Sequence, residues 1–247
     1  MITAIQLYNY LNELIPNDLS LDWDNDGLMC AAGIDDPVTH VLITLDVTEE
    51  TVNYAVKHNA DTIISHHPLI FKPLTSIKNN KLVKLIQNNI TVMSFHTRLD
   101  IVEDGVNSQF ANLLELNNIE TFAEIGRVGS LPREYAFLEF IQYVKDLLNC
   151  ERITAVKNQN VIKRVAVTGG DGKDFYGEAL KTGADTYLTG NLSYNIMADA
   201  LETDMNIIEA GHYQTENFIC KYLEQLVLNI DGKIKTTIFD SNPLMYF

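Results

Sequence analysis

Four of the six histidines in this chain fall in three short motifs, two of which also hold a carboxylate. His66-His67 is a doublet, His96 is followed four positions later by Asp100, and His212 is followed four positions later by Glu216. Imidazole nitrogen and carboxylate oxygen together are the donor set of a divalent transition metal, and water on such an ion becomes a nucleophile near neutral pH. His66-His67 serves one site only where its strand has ended, because neighbouring strand residues point to opposite faces. Pro68 supplies that ending, since it cannot continue a ladder and holds the residue before it extended. If a first helical turn starts at His212, that residue and Glu216 share one face. His96 and Asp100 are expected on a loop ahead of Asp104, read as the cap of a helix from Gly105 to Leu116. There Asp100 is a candidate ligand, and His96 either binds metal or orients a ligand from behind.

The elements that must position these groups come from an internal repeat. Val41-Leu42-Ile43-Thr44 aligns with Val165-Ala166-Val167-Thr168 at an offset of 124, and Ala55 to Thr62 lies over Ala179 to Thr186 at the same offset. An offset of 116 then superposes His96 on His212 and Asp100 on Glu216. Each copy reads as strands alternating with helices. In the first, Val41–Leu45 is a strand, Thr48-Glu49-Glu50 opens a helix ending near His58-Asn59, and Asp61–Ser65 is the next strand. Lys81–Gln87 is helical, and Ile90–Phe95 is the third strand. Such alternation predicts an α/β fold in which mostly parallel sheet is covered by helices in two pseudo-repeated halves. Ligands of open parallel sheets collect at strand carboxyl ends, where His66-His67, His96 and His212 all fall. The expected organisation is one unit over residues 1–247, with halves at about 1–116 and 161–247 joined by a connector, 117–160, that holds one helix within Tyr135–Leu148.

Composition narrows the function classes. With 46% hydrophobic and 21% charged residues the chain can bury a core without staples. Cys30, Cys150 and Cys220 form no CxxC pattern, and buried thiols in a reducing cytoplasm are the expectation. No apolar run is long enough for a bilayer, and no Lys or Arg precedes Lys57 to begin a targeting peptide. A net charge of -15 disfavours general nucleic-acid binding, although bound metal would admit an anionic small molecule. His40 and His58 have no acidic partner at ligand spacing and read as surface residues. Trp23-Asp24-Asn25-Asp26-Gly27 reads as an Asx-type turn or a pocket floor, and Gly169-Gly170-Asp171-Gly172 as an anion-binding nest ahead of a helix.

The ordered series Trp23–Leu28, Leu45-Asp46-Val47-Thr48, His66–Phe71, His96–Asp100, Thr189-Gly190 and Gly211–Glu216 resembles the Ngg-interacting-factor-like family, whose members are called GTP cyclohydrolase I type 2 homologues. The resemblance spans essentially the whole chain and is to the compact form, without an inserted domain. It implies a three-layer α/β/α architecture with related halves, a dinuclear site for zinc, iron, manganese or nickel, held by His66, His67, Asp100, His212 and Glu216 with His96 beside them, and a homohexameric ring. It further implies a metal-dependent hydrolase of unidentified substrate; a non-catalytic metal carrier or regulatory protein is the alternative. One departure stands out. Where many relatives read Thr-Gly-Asp with a histidine just after the following tyrosine, this chain has Thr189-Gly190-Asn191 and Tyr194-Asn195.

Overall fold

The computed structural model describes residues 1–245. Its elements run α1 (Ala4–Leu14), β1 (Gly27–Ala31), β2 (His40–Thr44), α2 (Glu49–Lys57), β3 (Thr62–Ser65), α3 (Asn80–Gln87), β4 (Thr91–Ser94), α4 (Thr97–Ile101) and α5 (Val106–Leu113). They continue with β5 (Asn117–Phe122), β6 (Gly126–Ala136), α6 (Phe137–Leu148), β7 (Thr154–Val156), β8 (Val161–Asp171), α7 (Tyr176–Lys181) and β9 (Thr186–Asn191). Last come α8 (Tyr194–Asp199), β10 (Asn206–Glu209), α9 (His212–Glu216), α10 (Ile219–Ile230) and β11 (Lys235–Phe239). The architecture is mixed α/β with two sheets, parallel in their centres, as the alternation of short apolar strands and helices predicts. The described residues divide into two compact units, one formed by Met1–Leu99 with Ile219–Leu244 and the other by Asp100–Phe218 with Met245. No helix among the described residues is long and apolar enough to cross a membrane.

The first unit holds a five-stranded sheet in the order β1-β4-β3-β2-β11, parallel except where edge strand β1 meets β4. Leu42, Ile63 and Val92 pack on one face against Val52 and Ala55 of α2 and Leu82 and Leu85 of α3. Their neighbours Val41, Ile43, Ile64 and Met93 must point to the other face, where α10 meets β2 and α1. Buried on both faces, the central strands are apolar through their middles, with no polar alternation. Helix α2 begins where expected: Thr48 caps it reciprocally with Thr51, Glu49 and Glu50 stand at its positive end, and Lys57 lies in its last turn.

The second unit holds a six-stranded sheet in the order β5-β6-β8-β9-β10-β7. Strands β8, β9 and β10 are parallel, and the flanking pairings are antiparallel. Val165, Val167, Leu188 and Ile208 face the α5 and α6 side, with Phe110, Phe140 and Val144. Ala166, Tyr187 and Ile207 face the α7 side. Segment 117–160 carries the expected helix, α6, and in addition β5, β6 and β7. β5 and β7 escape hydrophobic pattern reading because they are polar and largely exposed, as outer strands of a sheet tend to be, while β6, buried over its first half, carries Gly126, Gly129 and Pro132, which read as loop.

The repeat has a hydrogen-bond signature. Oδ2 of Asp61 accepts from the amides of Thr39 and His40, at 2.7 and 3.0 Å, where β2 starts. At the same offset of 124, Oδ2 of Asp185 accepts from the amides of Lys163 and Arg164, at 2.8 and 2.9 Å. Farther along, Phe95 N donates to Ser65 O and Ala210 N to Thr189 O, both at 2.9 Å. These two bonds equate residue 95 with 210, so Gly211 is an extra residue before His212, and the histidines themselves sit one ladder position apart.

Candidate metal centre

In the first unit the three parallel strands β2, β3 and β4 end side by side, and each is followed by a polar residue of the site. Asp46 follows β2, His66 and His67 follow β3, and His96 follows β4. The doublet lies beyond the end of its strand, as Pro68 predicts. Ligand-type atoms of His66, His67 and His96 lie within 4.8 Å of one another. Ring centroids are 5.0 to 5.7 Å apart across the three pairs.

Each of these rings is oriented from behind through Nδ1. His66, fully buried, donates Nδ1–H to the carbonyl of Phe95 at 2.9 Å. Nδ1 of His67 meets Oδ1 of Asp46 at 2.8 Å, and Nδ1 of His96 meets Oδ1 of Asp24 at 2.8 Å. An acceptor at Nδ1 puts the proton there and leaves the lone pair on Nε2, the tautomer and orientation that a metal ligand needs.

The turn Trp23–Gly27 is the template for the His96 loop. Oδ2 of Asp24 accepts from the amide and hydroxyl of Thr97, at 3.0 and 2.7 Å. Oδ2 of Asp26 accepts from the amide of His96 and from Nε of Arg98, both at 3.0 Å. The Arg98 side chain is fully buried, and its Nη1 donates to Oδ1 of Asn12 and to the carbonyl of Ile15, at 2.6 and 3.0 Å. Burial pulls the Asp24 carboxyl upward, but hydrogen bonds from His96 and Thr97 outweigh it and hold the group well below the usual carboxylate range. Trp23 is 61% exposed and lies edge-on to His96 at 6.2 Å, with Phe71 on the same ring at 6.5 Å. Nearby, Lys81 donates to the carbonyl of Val47; burial lowers its pKa, against the pull of Asp46.

In the second unit β8, β9 and β10 likewise end side by side. His212 opens the single-turn helix α9, and Nε2 of its ring lies 3.1 Å from Oε2 of Glu216, one turn on. That separation is close to the edge of a coordination shell whose bonds are about 2.0–2.2 Å. Nδ1 of His212 meets Oδ1 of Asn191, at the end of β9, at 3.1 Å. Asp100 and Glu216 are both buried and present carboxylate oxygens within 4.8 Å of each other. Asp100 lies in helix α4 and not on a loop; the cap of α5 is Gly105, not Asp104. Thr97-Arg98-Leu99-Asp100 is too short a run to show helical period, which is why it reads as loop.

Gly170 lets the strand-end loop close over this pair. Its φ is +62°, and a Cβ there would lie 2.1 Å from Oε1 of Glu216 and 3.1 Å from Nε2 of His212. The loop is not an anion-binding nest. Its amides are spent inside the protein, Gly169 N on Oδ1 of Asn107, Gly170 N on Oγ1 of Thr215 and Gly172 N on the carbonyl of Asn191. His40 is not a surface residue either: it is 4% exposed, with Nδ1 on the carbonyl of His58 and Nε2 on Thr237. Cys150 and Cys220 are buried, and burial pushes the Cys220 thiol up to about 12.

Asp46 carries no ligand-type spacing of its own, and Trp23–Gly27 fits a structural turn and a pocket floor equally well by pattern. The available signal for Asp46 was its place just past β2, beside the strand that ends in His66-His67. Asp24 and Asp26 stand 72 residues from the groups they hold, and no short-range pattern connects them.

The sequence profile of the family described as Duf34/NIF3 (NGG1p interacting factor 3) matches residues 2–243. The chain belongs to this family. A "GTP cyclohydrolase 1 type 2 homolog" of Clostridium perfringens is 33% identical over 244 residues, 93% of each chain, and one of Methanocaldococcus jannaschii is 31% identical over 94% of this chain and 97% of its own. Among solved structures, Staphylococcus aureus protein SA1388 superposes with a TM-score of 0.89 at 28% identity, covering 100% of this chain and 99% of its own. "Reduced HcgD" from M. jannaschii superposes at 0.84 and 27% identity, over 96% and 97%.

Proposed function

We propose that this protein is a metal-dependent hydrolase that holds two divalent ions with His66, His67, Asp100, His212 and Glu216. The observation that carries this reading is that His66, His67, His96 and His212 are all anchored through Nδ1 by an oxygen acceptor, although they come from three separate places in the chain. An imidazole held this way through Nδ1 directs Nε2 forward as its ligand atom, and in His212 that atom stands 3.1 Å from Oε2 of Glu216, the carboxylate with which it would share an ion. The donor set, imidazole with carboxylate and no thiolate, suits zinc, iron, manganese or nickel. A pair of such ions would acidify water and clamp a developing oxyanion.

The residues of the chain have separate tasks in this reading. Asp46 and the Phe95 carbonyl fix the tautomers of His67 and His66. His96, backed by Asp24 and flanked by Trp23 and Phe71, is the group placed to carry a proton to or from substrate. The acidic surface requires that an anionic substrate be drawn in by the ions themselves. Because the curated relatives are named after GTP cyclohydrolase, a purine nucleotide is the first substrate to try. Assembly into a homohexameric ring in the cytoplasm belongs to the same proposal; light scattering should then give six chains of 27.8 kDa.

Elemental analysis of metal-reconstituted protein should find close to two ions per chain, and Glu216→Ala should lose at least one. Loaded protein is then screened against GTP, cyclic nucleotides, phosphodiesters and amides. The half-exposed His212 with its amide acceptor favours a second reading, a metal carrier, which inactivity on every substrate with rapid ion exchange would support. Protein that takes up no metal, with a thermal midpoint unmoved by added ions, would exclude both.

A further inference from the structure

The three side-chain acceptors behind the histidines are not alike. His67 and His96 are backed by the carboxylates of Asp46 and Asp24, whereas His212 is backed by the amide of Asn191. A carboxylate only accepts, so it holds its histidine in the ligating tautomer at all times and raises the basicity of Nε2. An amide has two faces. With Oδ1 toward the ring, His212 carries its proton on Nδ1 and offers Nε2; with Nδ2 toward the ring, Nδ1 must accept, the proton moves to Nε2, and the ligand is withdrawn.

The surroundings allow that exchange. Asn191 is exposed at the end of β9, and its backbone carbonyl is held by Gly172 N at 3.1 Å, so the side chain turns on a fixed main chain. The bond to His212 is the only one made by the Asn191 amide among the described residues. His212 is also the more accessible ring, with 37% of its side chain exposed against 22% for His67 and 19% for His96.

We propose that Asn191 is a positioning residue that makes His212 a releasable ligand, so that the ion it helps to hold exchanges with the medium. This rests on the two-ion reading above. The chemistry is a 180° turn of one amide, loss of the Nδ1 proton to solvent, and gain of a proton from solvent at Nε2 once its lone pair has left the ion; one N–H bond breaks, one forms, and no heavy-atom bond of the chain changes.

The test uses zinc. Full-length protein loaded with two zinc ions is mixed with excess chromogenic chelator, and release is followed in wild type, Asn191→Asp, His212→Ala and the double variant. Asn191→Asp should slow the release of one ion about 10- to 100-fold, the usual scale of such partners behind a ligand, and leave the other unchanged. In the His212→Ala background the same substitution should do nothing, which separates action through the ring from a general effect on the strand end. Equal release from wild type and Asn191→Asp, or a slowing that survives His212→Ala, would overturn the proposal while leaving the two-ion reading intact. Wild-type protein that binds no zinc would overturn both.

Discussion

Replacing Arg98 by Met should cost the first unit about 3–5 kcal/mol, the usual penalty for stranding one partner of a buried ion pair. Three features of the structure support the upper part of that range. The side chains of Arg98 and Asp26 are 0% and 2% exposed, so water cannot take over from the lost guanidinium. Nη1 satisfies both Oδ1 of Asn12 and the Ile15 carbonyl, leaving two further acceptors without their donor. The guanidinium also lies over the Phe95 ring at 4.6 Å, a contact that methionine only partly replaces. Trp23 is the chain's single tryptophan and belongs to this unit, so its fluorescence in urea reports this unit's unfolding. With a urea slope of about 1–3 kcal/mol/M, the midpoint should fall by at least about 1 M. Arg98→Lys should recover little, because an ammonium cannot reproduce the fork that reaches Asp26, Asn12 and Ile15 together. Combining Arg98→Met with Asp26→Leu should cost less than the two single changes added, since no charge is then left buried. A loss below about 0.5 kcal/mol for Arg98→Met, the scale of an ordinary surface change, would refute this account of how the His96 loop is anchored.

Two further perturbations test the site from other directions. Gly170→Ala forces a left-handed φ of +62° on a residue with a Cβ and drives that atom against Oε1 of Glu216; metal-free protein should lose about 1–2 kcal/mol by thermal melting, and bound metal by elemental analysis should fall further than the stability does. Asp24 is held below the usual carboxylate range in the folded protein, so its stabilising contribution is complete above the unfolded value of about 3.9 and is lost as pH falls. Metal-free Asp24→Asn should therefore show a shallower fall of urea midpoint between about pH 5 and 3 than wild type, and parallel curves would contradict the role given to Asp24.

Much of the scaffold was legible in the chain itself, because it depends on short-range order. The β-branched runs at Val41–Thr44 and Val165–Thr168, the cap at Thr48 and the Pro after His66-His67 each declare local structure within a few residues. The offset of 124 is confirmed by Asp61 and Asp185, which make the same pair of bonds in the two units. The His212–Glu216 pair was also readable, since helical spacing brings residues four apart together. What tertiary structure alone decided is what stands behind each of these histidines. Asp24 reaches His96, Asp46 reaches His67 and Asn191 reaches His212 only because neighbouring strands and turns come together on folding, and their separations of 72, 21 and 21 residues carry no period. The glycine cluster misled for the same reason. Which amides a loop leaves open depends on distant acceptors such as Asn107 and Thr215, and those are chosen by packing, not by the spacing of the glycines.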